Sequence, residues 1–255
     1  YTRRLNAMSN EYDKRRLLHG DWLVQPRNGM EFFPDFNSNT HSKNIPYDPS
    51  SALHITFDFN ASPYMTLLVA QIKQGEMGRW HVNFLKEYCP VHPLSTPRAA
   101  CDMLLKDIRE GCFMGHNAGV FVYGDASGKN RKSMEGEAIR SDFDLIFERL
   151  ARHTWGEFDR VLRSNPPHTK ARDFMGHCFT GRLPVVVTVN PDMHTTISDL
   201  VHLKQGAAGD ILKEYETDPV SKVRYEKWGH CSQAMYYLII GALKDMYDDM
   251  GTLAA

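Results

Sequence analysis

Two short apolar runs, each carrying or followed by an aspartate, constrain the fold of this 255-residue chain more than any other feature. In residues 53–59, apolar side chains occupy every second position, which is the pattern of a half-buried strand. Asp58 lies in this run, and Asn60 shares its other face. The second run, residues 119–123, predicts a strand that leads directly into Gly124 and Asp125. Open α/β sheets place their binding sites at the carboxyl ends of strands, so Asp125 is a candidate for chemistry.

The segment around Asp125, FVYGDASGKNRKS, resembles a phosphate-binding loop only at first sight. Such a loop needs four residues between its glycines, and Ser or Thr after the lysine, to surround the phosphates and reach Mg²⁺. Here three residues separate Gly124 from Gly128, and Asn130 follows Lys129, so this motif is excluded. Two interpretations of Asp125 remain open: a turn residue, since Gly, Asp and Ser favour turns, or a carboxylate with a chemical role.

Apolar periodicity predicts further strands and helices around these two runs. Residues 53–60, 65–72 and 80–85 are expected to form an antiparallel meander, with a turn at 74–78. The remaining predicted elements are helices at 97–111, 142–150, 166–179 and 232–250, a strand at 185–189, and a helix or turn at 198–203.

This order of elements predicts an α/β fold with three layers. An acid on a central first strand beside an acid ending the fourth strand is the plan of ribonuclease H-like nucleases. The expected fold is therefore ribonuclease H-like, with a mixed central sheet and helices on both faces. Carboxylates that converge from different elements suit a pair of divalent cations about 3.5–4 Å apart, which stabilise both reacting oxygens of a phosphodiester.

Charge and cysteine content narrow the classes of function. The 30 basic and 31 acidic side chains leave a formal charge of −1, so a nucleic-acid site would have to be a local patch. The five cysteines contain no C-x-x-C pair, which favours a reducing compartment and argues against a disulfide framework or a structural zinc. No apolar run approaches the roughly 20 residues that span a bilayer, so no membrane partner is expected.

The first 50 residues differ from the rest in composition. A polar start that could form a helix is followed by a stretch rich in Pro, Asn and Ser, which we interpret as a connector. The chain begins without Met, and we expect it to be part of a longer protein. The predicted division is a linker or tail at 1–50 and the α/β domain at 51–255.

Five short motifs, in order, resemble those of the carboxyl-terminal nuclease domain of phage terminase large subunits, the motors that package DNA into capsids. The resemblance covers nearly the whole chain. Its motifs are LLHGDW at 17–22, FDFN at 57–60, YGDASG at 123–128, NPP at 165–167 and KWGHCSQAMYYL at 227–238. It implies that residues 1–50 follow an ATPase motor domain that lies outside this sequence. The sequence contains no Walker motif, so we expect this chain to bind no ATP.

The resemblance also implies a set of catalytic and metal-binding residues. Asp58 and Asp125 match the two acids that bridge a pair of divalent cations, Mg²⁺ or Mn²⁺. Gln233 stands where the family has a third aspartate; its amide oxygen can coordinate a hard cation, but without a charge. His230, three residues earlier, and Glu87, near the third strand, are the further candidate ligands. The implied catalytic set is Asp58, Asp125 and Gln233.

Each of these residues also has a structural interpretation. Asp58 could face solvent from its strand, and Glu87 could be a surface acid. His230 could cap a helix or lie in the core. The basic loop residues Lys129, Arg131 and Lys132 could be solvated, whereas beside bound metals they would contact DNA phosphates.

The function implied by the resemblance is a metal-dependent DNA endonuclease that cuts concatemeric viral DNA during packaging. Its partners would be double-stranded DNA, the portal protein, the small terminase subunit and the ATPase domain of the same full-length chain. It would act in the host cell cytoplasm, transiently docked at the procapsid. Two alternatives remain: a transposase or integrase of the same fold, and a DNA-gripping module without catalysis, in which Gln233 marks a degenerate metal site.

Overall fold

A five-stranded mixed sheet forms the centre of the molecule. The structure is a computed structural model that describes residues 29–60, 62–130, 140–153, 158–219 and 222–250. The strand order is β4-β1-β2-β3-β5, with β1–β2 and β2–β3 antiparallel and β1–β4 and β3–β5 parallel. The strands are β1 (Leu53–Asp58), β2 (Thr66–Gln74), β3 (Trp80–Tyr88), β4 (Val120–Gly124) and β5 (Val185–Val189).

Helices cover both faces of this sheet. No helix in the described part of the chain is both long enough and apolar enough to cross a membrane. The helices are α1 (Ser38–His41), α2 (Pro97–Glu110), α3 (Asp142–Arg149), α4 (His168–Phe179), α5 (His194–His202), α6 (His230–Ala242) and α7 (Lys244–Met250). Two small antiparallel ribbons complete the described elements: β6 (Lys204–Gln205) with β7 (Ile211–Leu212), and β8 (Tyr215–Thr217) with β9 (Arg224–Glu226).

Two separate hydrophobic cores show that the sheet is the middle of three layers. One core joins β2, β3 and β5 to α4, α5 and α6, with Phe84 and Phe174 fully buried. The other joins β1 and β4 to α2 and α3, with Ile55 and Leu104 fully buried. The predicted ribonuclease H-like α/β fold, with a mixed central sheet and helices on both faces, is confirmed.

Local sequence signals explain where the helices of the second core begin. Thr96 accepts a hydrogen bond from the amide of Ala99 at the start of α2, and Pro97 occupies the first turn, where its missing N–H is not needed. Ser141 and Asp144 form a reciprocal capping box at the start of α3. These signals place both helices within a few residues of their predicted bounds.

Two predictions about single elements were wrong. Strand β1 is buried on both faces, because α6 covers the face that the alternating pattern assigned to solvent, and Thr56 donates a 2.8 Å hydrogen bond to the carbonyl of Ala234. The predicted helix 232–250 is two helices, because the backbone of Leu243 (φ −115°, ψ 38°) leaves the helical region between α6 and α7. The segment predicted as a helix or turn at 198–203 belongs to α5, which begins at His194.

The segment before β1 packs into the first core. The amide of Phe32 donates to the carbonyl of Leu203 at 2.8 Å, and Ser42 forms a parallel bridge with Val189. Phe32, Phe33 and Phe36 are buried. The division at residue 50 stays a prediction, and the LLHGDW motif lies outside the described residues.

Candidate metal centre

Asp58 and Asp125 lie side by side at one edge of the sheet. Strands β1 and β4 run parallel with Phe57 opposite Gly124, and one aspartate follows each of these residues. The amide of Asp125 donates a 3.0 Å hydrogen bond to the carbonyl of Phe57, which extends the pairing by one step. The structure therefore brings together two acids that are 67 positions apart, from position 58 to position 125.

Close packing around Asp125 explains the glycines of its motif. Gly124 has a φ of +149°, and a Cβ at this position would lie 2.7 Å from the carbonyl oxygen of Phe57. A Cβ on Gly128 would lie 2.1 Å from a ring carbon of Phe59. Side chains at either position would push the turn away from β1, and Asp125 with it.

Asp125 also caps the turn that follows it. Its Oδ1 accepts a 2.7 Å hydrogen bond from the amide of Ser127, at the start of a short 3₁₀ turn over Ala126–Lys129. The turn interpretation of Asp125 and its candidate metal role are thus compatible, because the cap uses one carboxylate oxygen.

Asn165 holds Asp125 from a distant part of the chain. Its Nδ2 donates to Asp125 Oδ1 at 2.7 Å, and its Oδ1 accepts from the amide of Ala126 at 2.8 Å. The sequence analysis noted the NPP motif that begins at Asn165 but gave this residue no role in the site. The signal was an amide side chain directly before the two prolines that lead into α4.

Asp58 is almost completely enclosed, with 4% of its surface exposed. Its Oδ2 accepts a 2.6 Å hydrogen bond from Nδ2 of Asn60 and lies 3.1 Å from Nδ1 of His230. Nδ1 of His230 also lies 2.8 Å from Nδ2 of Asn60. The three side chains form one polar group, even though the apolar pattern of β1 had suggested a solvent-facing acid.

His230 begins α6, early enough to share a helix face with Gln233. Burial opposes a charge on its ring, but the hydrogen bond and negative charge of Asp58 outweigh burial and raise the pKa of His230 above 6.5. Its Nε2 lies 2.8 Å from the carbonyl oxygen of Glu226. With both ring nitrogens engaged, His230 orients Asp58 in this arrangement and has no free nitrogen for a metal.

The donor atoms fit hard divalent cations. Within the described part of the chain, protein hydrogen bonds reach only Oδ2 of Asp58 and only Oδ1 of Asp125. The second oxygen of each carboxylate is left for a cation, and Mg²⁺ and Mn²⁺ prefer such ligands. Burial, and then the negative charges of Asp125 and Asp58, raise the pKa of the Tyr237 hydroxyl, so both carboxylates act on the same space.

Gln233 lies one helical turn after His230 and is partly exposed. Its Oε1 lies 3.4 Å from the hydroxyl of Tyr236, which in turn lies 2.9 Å from Nδ1 of His168. Tyr236 and Tyr237 are buried, as the sequence analysis predicted for this apolar helix. The catalytic role of Gln233 stays a prediction.

Glu87 is committed to a helix start. It lies within β3, and its two carboxylate oxygens accept hydrogen bonds from the amides of Thr195 and Thr196 in the first turn of α5. Among the described residues, Glu87 forms with Cys89 and Cys231 the one group of three or more His, Cys, Asp or Glu side chains whose ligand atoms all lie within 4.8 Å of one another. This group could hold a metal ion, and it contains neither Asp58 nor Asp125.

The predicted DNA-contacting loop is described only at its first basic residue. Nζ of Lys129 lies 3.2 Å from the carbonyl oxygen of Val161 and 3.3 Å from a carboxylate oxygen of Asp159. The side chain is therefore drawn towards its own chain. Arg131 and Lys132 lie outside the described residues, and their DNA contacts stay a prediction.

Solved structures with a similar fold are those of a large terminase from a thermophilic bacteriophage. One crystal form matches with a TM-score of 0.53 and 12% sequence identity, over 83% of this chain and 44% of that chain. The complex of that terminase with ATP-gamma-S matches with a TM-score of 0.51 and 13% identity, over 83% of this chain and 45% of that chain. This chain thus spans less than half of that protein and has a terminase-like fold.

No known family profile matches this sequence. No curated protein is significantly similar to it. The assignment to the nuclease domain of a terminase therefore stays a prediction.

Proposed function

We propose that this chain is a divalent-metal-dependent DNA endonuclease that cuts concatemeric viral DNA during genome packaging. The observation that carries the proposal is the pairing of Asp58 and Asp125 at the ends of adjacent parallel strands, each with one carboxylate oxygen left for a cation. The fold shared with the large terminase of a bacteriophage supports the packaging context.

In the proposed site, Asp58 and Asp125 hold the cations, and Gln233 supplies a neutral oxygen. Two Mg²⁺ or Mn²⁺ ions bound there would supply the activation of a water and the stabilisation of the leaving oxygen of a phosphodiester. Asn165 keeps the free oxygen of Asp125 turned outward by holding the other one. Asn60 and His230 do the same for Asp58.

The proposal extends to the setting of the reaction. The substrate would be double-stranded DNA, bound in part by Lys129, Arg131 and Lys132. The partners would be the portal protein, the small terminase subunit and an ATPase domain of the same full-length chain, and this chain would bind no ATP. The site of action would be the host cytoplasm, with the protein transiently docked at the procapsid.

The experiment that tests the proposal is nicking of supercoiled plasmid by the chain in Mg²⁺, Mn²⁺ or EDTA. Asp58→Asn and Asp125→Asn keep the shape of each side chain and remove its charge. We expect each to reduce nicking by roughly 100-fold or more, because several kcal/mol of charge stabilisation are lost. Asp102→Asn, the same change on the exposed side of α2, is the matched control and should nick like the parent.

Gln233→Asp tests the departure from the expected third acid. A carboxylate at this position would add charge to the cation site, so nicking should rise, most of all in Mg²⁺. Nicking that persists in EDTA, or in both aspartate variants, would contradict the proposal.

A DNA-gripping module without catalysis is the second candidate. The observation that favours it is that Asp58, Asp125 and His230 do not form a group whose ligand atoms all lie within 4.8 Å, among the residues the structure describes. A parent chain that binds duplex DNA but leaves plasmid intact in both metals would establish this second function.

A further inference from the structure

A second group of metal-ligating side chains lies beside the candidate centre but apart from its two aspartates. Glu87 lies near the end of β3, Cys89 follows that strand, and Cys231 is in the first turn of α6. The sulfur atoms of the two cysteines lie 3.8 Å apart, and both cysteines are free. The cysteines are 142 positions apart in sequence, which is why the chain shows no spacing typical of a metal site.

The separation of the sulfurs matches a shared tetrahedral ion. Two thiolates on one Zn²⁺, with Zn–S bonds of about 2.3 Å and a tetrahedral angle, lie roughly 3.8 Å apart. A disulfide would require a sulfur–sulfur bond of about 2.05 Å. The observed 3.8 Å therefore corresponds to two sulfurs that can bind one ion without being bonded to each other.

The carboxylate of Glu87 is already oriented for such an ion. Its Oε2 accepts two hydrogen bonds, from the amide and the hydroxyl of Thr196. Its Oε1 accepts one, from the amide of Thr195, at 2.8 Å. A carboxylate oxygen has two lone pairs, so Oε1 keeps one for a metal while the start of α5 holds the group in place.

We propose that Glu87, Cys89 and Cys231 form a metal site for a thiophilic divalent cation such as Zn²⁺, with water as the fourth ligand. Thiolates select zinc over Mg²⁺, so this site would be chemically separate from the oxygen-only centre at Asp58 and Asp125. On binding, both thiols release their protons to solvent and each sulfur donates an electron pair to the ion.

The proposed ion would join three elements. Cys231 is fully buried in α6, Cys89 is partly exposed after β3, and Glu87 is bound to the start of α5. A cation bound by the folded chain alone stabilises it by mass action. The ion would thus fasten the first turn of α6, which also carries His230. This inference does not depend on the proposed nuclease activity.

Cobalt(II) is the probe for the test, because thiolate–cobalt bonds give an intense near-ultraviolet absorption that oxygen ligands do not. The reduced chain is titrated with Co²⁺ in excess Mg²⁺, which occupies oxygen-only sites. We expect one Co²⁺ per chain with thiolate absorption, displacement of that absorption by Zn²⁺, and a rise in the melting temperature on addition of Zn²⁺.

Variants assign the absorption to these residues. Cys89→Ser should weaken Co²⁺ binding by at least about tenfold, since losing a direct ligand costs no less than losing a supporting residue. Cys112→Ser, the same change at an exposed cysteine outside the group, should bind like the parent. The proposal is overturned if the reduced parent, folded by circular dichroism, gives no thiolate absorption, or if Cys89→Ser leaves that absorption unchanged.

Discussion

At the end of β4, the amide of Asn165 positions the carboxylate of Asp125 by donating and accepting at the same time. The amide contacts both Asp125 Oδ1 and the amide of Ala126, so it fixes the side chain and the turn that carries it. Asn60 and His230 hold Asp58 in a comparable way, through one carboxylate oxygen. Supporting residues of this kind determine how well a carboxylate is aimed at a cation.

Asn165→Ala should reduce metal-dependent nicking by about 10- to 100-fold and raise the Mn²⁺ concentration needed for half-maximal activity. The reason is that Asp125 loses one of the two donors to its Oδ1, while the fold keeps its cores. The measurement is plasmid nicking across a Mn²⁺ titration.

Asn117→Ala is the control for this change. Asn117 is exposed just before β4, at the opposite end of that strand from Asp125. The positioning role of Asn165 would be ruled out by an unchanged Mn²⁺ dependence in Asn165→Ala, or by an equal effect of both substitutions.

Among the elements, α6 decides the environment of the candidate site. All of its residues are buried except Gln233, Gly241 and Ala242. A helix that is apolar all round belongs in the interior, and here it lies across β1. The contact converts a strand that reads as half-buried into a central one, and it brings the start of the helix to Asp58.

Thr56→Val tests the link between β1 and α6. The hydroxyl of Thr56 donates a 2.8 Å hydrogen bond to the carbonyl of Ala234, and both residues are fully buried. Valine keeps the shape and loses the bond, so the free energy of unfolding should fall by about 1 kcal/mol. Urea unfolding followed by circular dichroism measures the change.

Thr217→Val is the matched substitution in β8, where the side chain is exposed. It should leave the free energy of unfolding within about 0.5 kcal/mol of the parent. If Thr56→Val were as stable as the parent, the hydrogen bond would not be what ties the helix to the strand.

For the whole molecule, His54 couples stability to pH. It lies in β1, with its ring stacked on Phe121 at 4.9 Å and its Nδ1 2.9 Å from the hydroxyl of Tyr123. Burial, and then the positive charge of Arg160, lower its pKa from 6.5 to about 3. In the unfolded chain the ring takes up a proton near pH 6.5, whereas the folded chain takes one up only near pH 3.

Stability should therefore fall as the pH drops below 6.5, by up to about 1.4 kcal/mol per pH unit from this residue. His54→Gln removes the titration, so its melting temperature should fall less than that of the parent between pH 6.5 and pH 4.5. His92→Gln, at an exposed position, should follow the parent. Parallel curves for the parent and His54→Gln would show that His54 does not cause the acid sensitivity.

Much of the fold could be predicted because its signals are local. The alternating run of β1, the Pro97 start of α2 and the aspartate after β4 each depend on neighbouring positions. The placement of Asp58 and Asp125 on adjacent strands also followed from the order of elements. Helix ends and strand faces were predicted less well, because a strand cannot show in its own sequence that a distant helix covers it.

The amino-acid sequence was enough to establish the elements, their order, the three-layer fold and the two candidate acids, since periodicity and capping act over a few residues. Only the tertiary structure decided that Asn165 holds Asp125, that His230 meets Asp58 across 172 positions, and that Glu87 lies with Cys89 and Cys231. The physical reason is that these contacts depend on how α6 packs on the sheet. Side-chain packing between distant segments leaves no periodic signal in either segment.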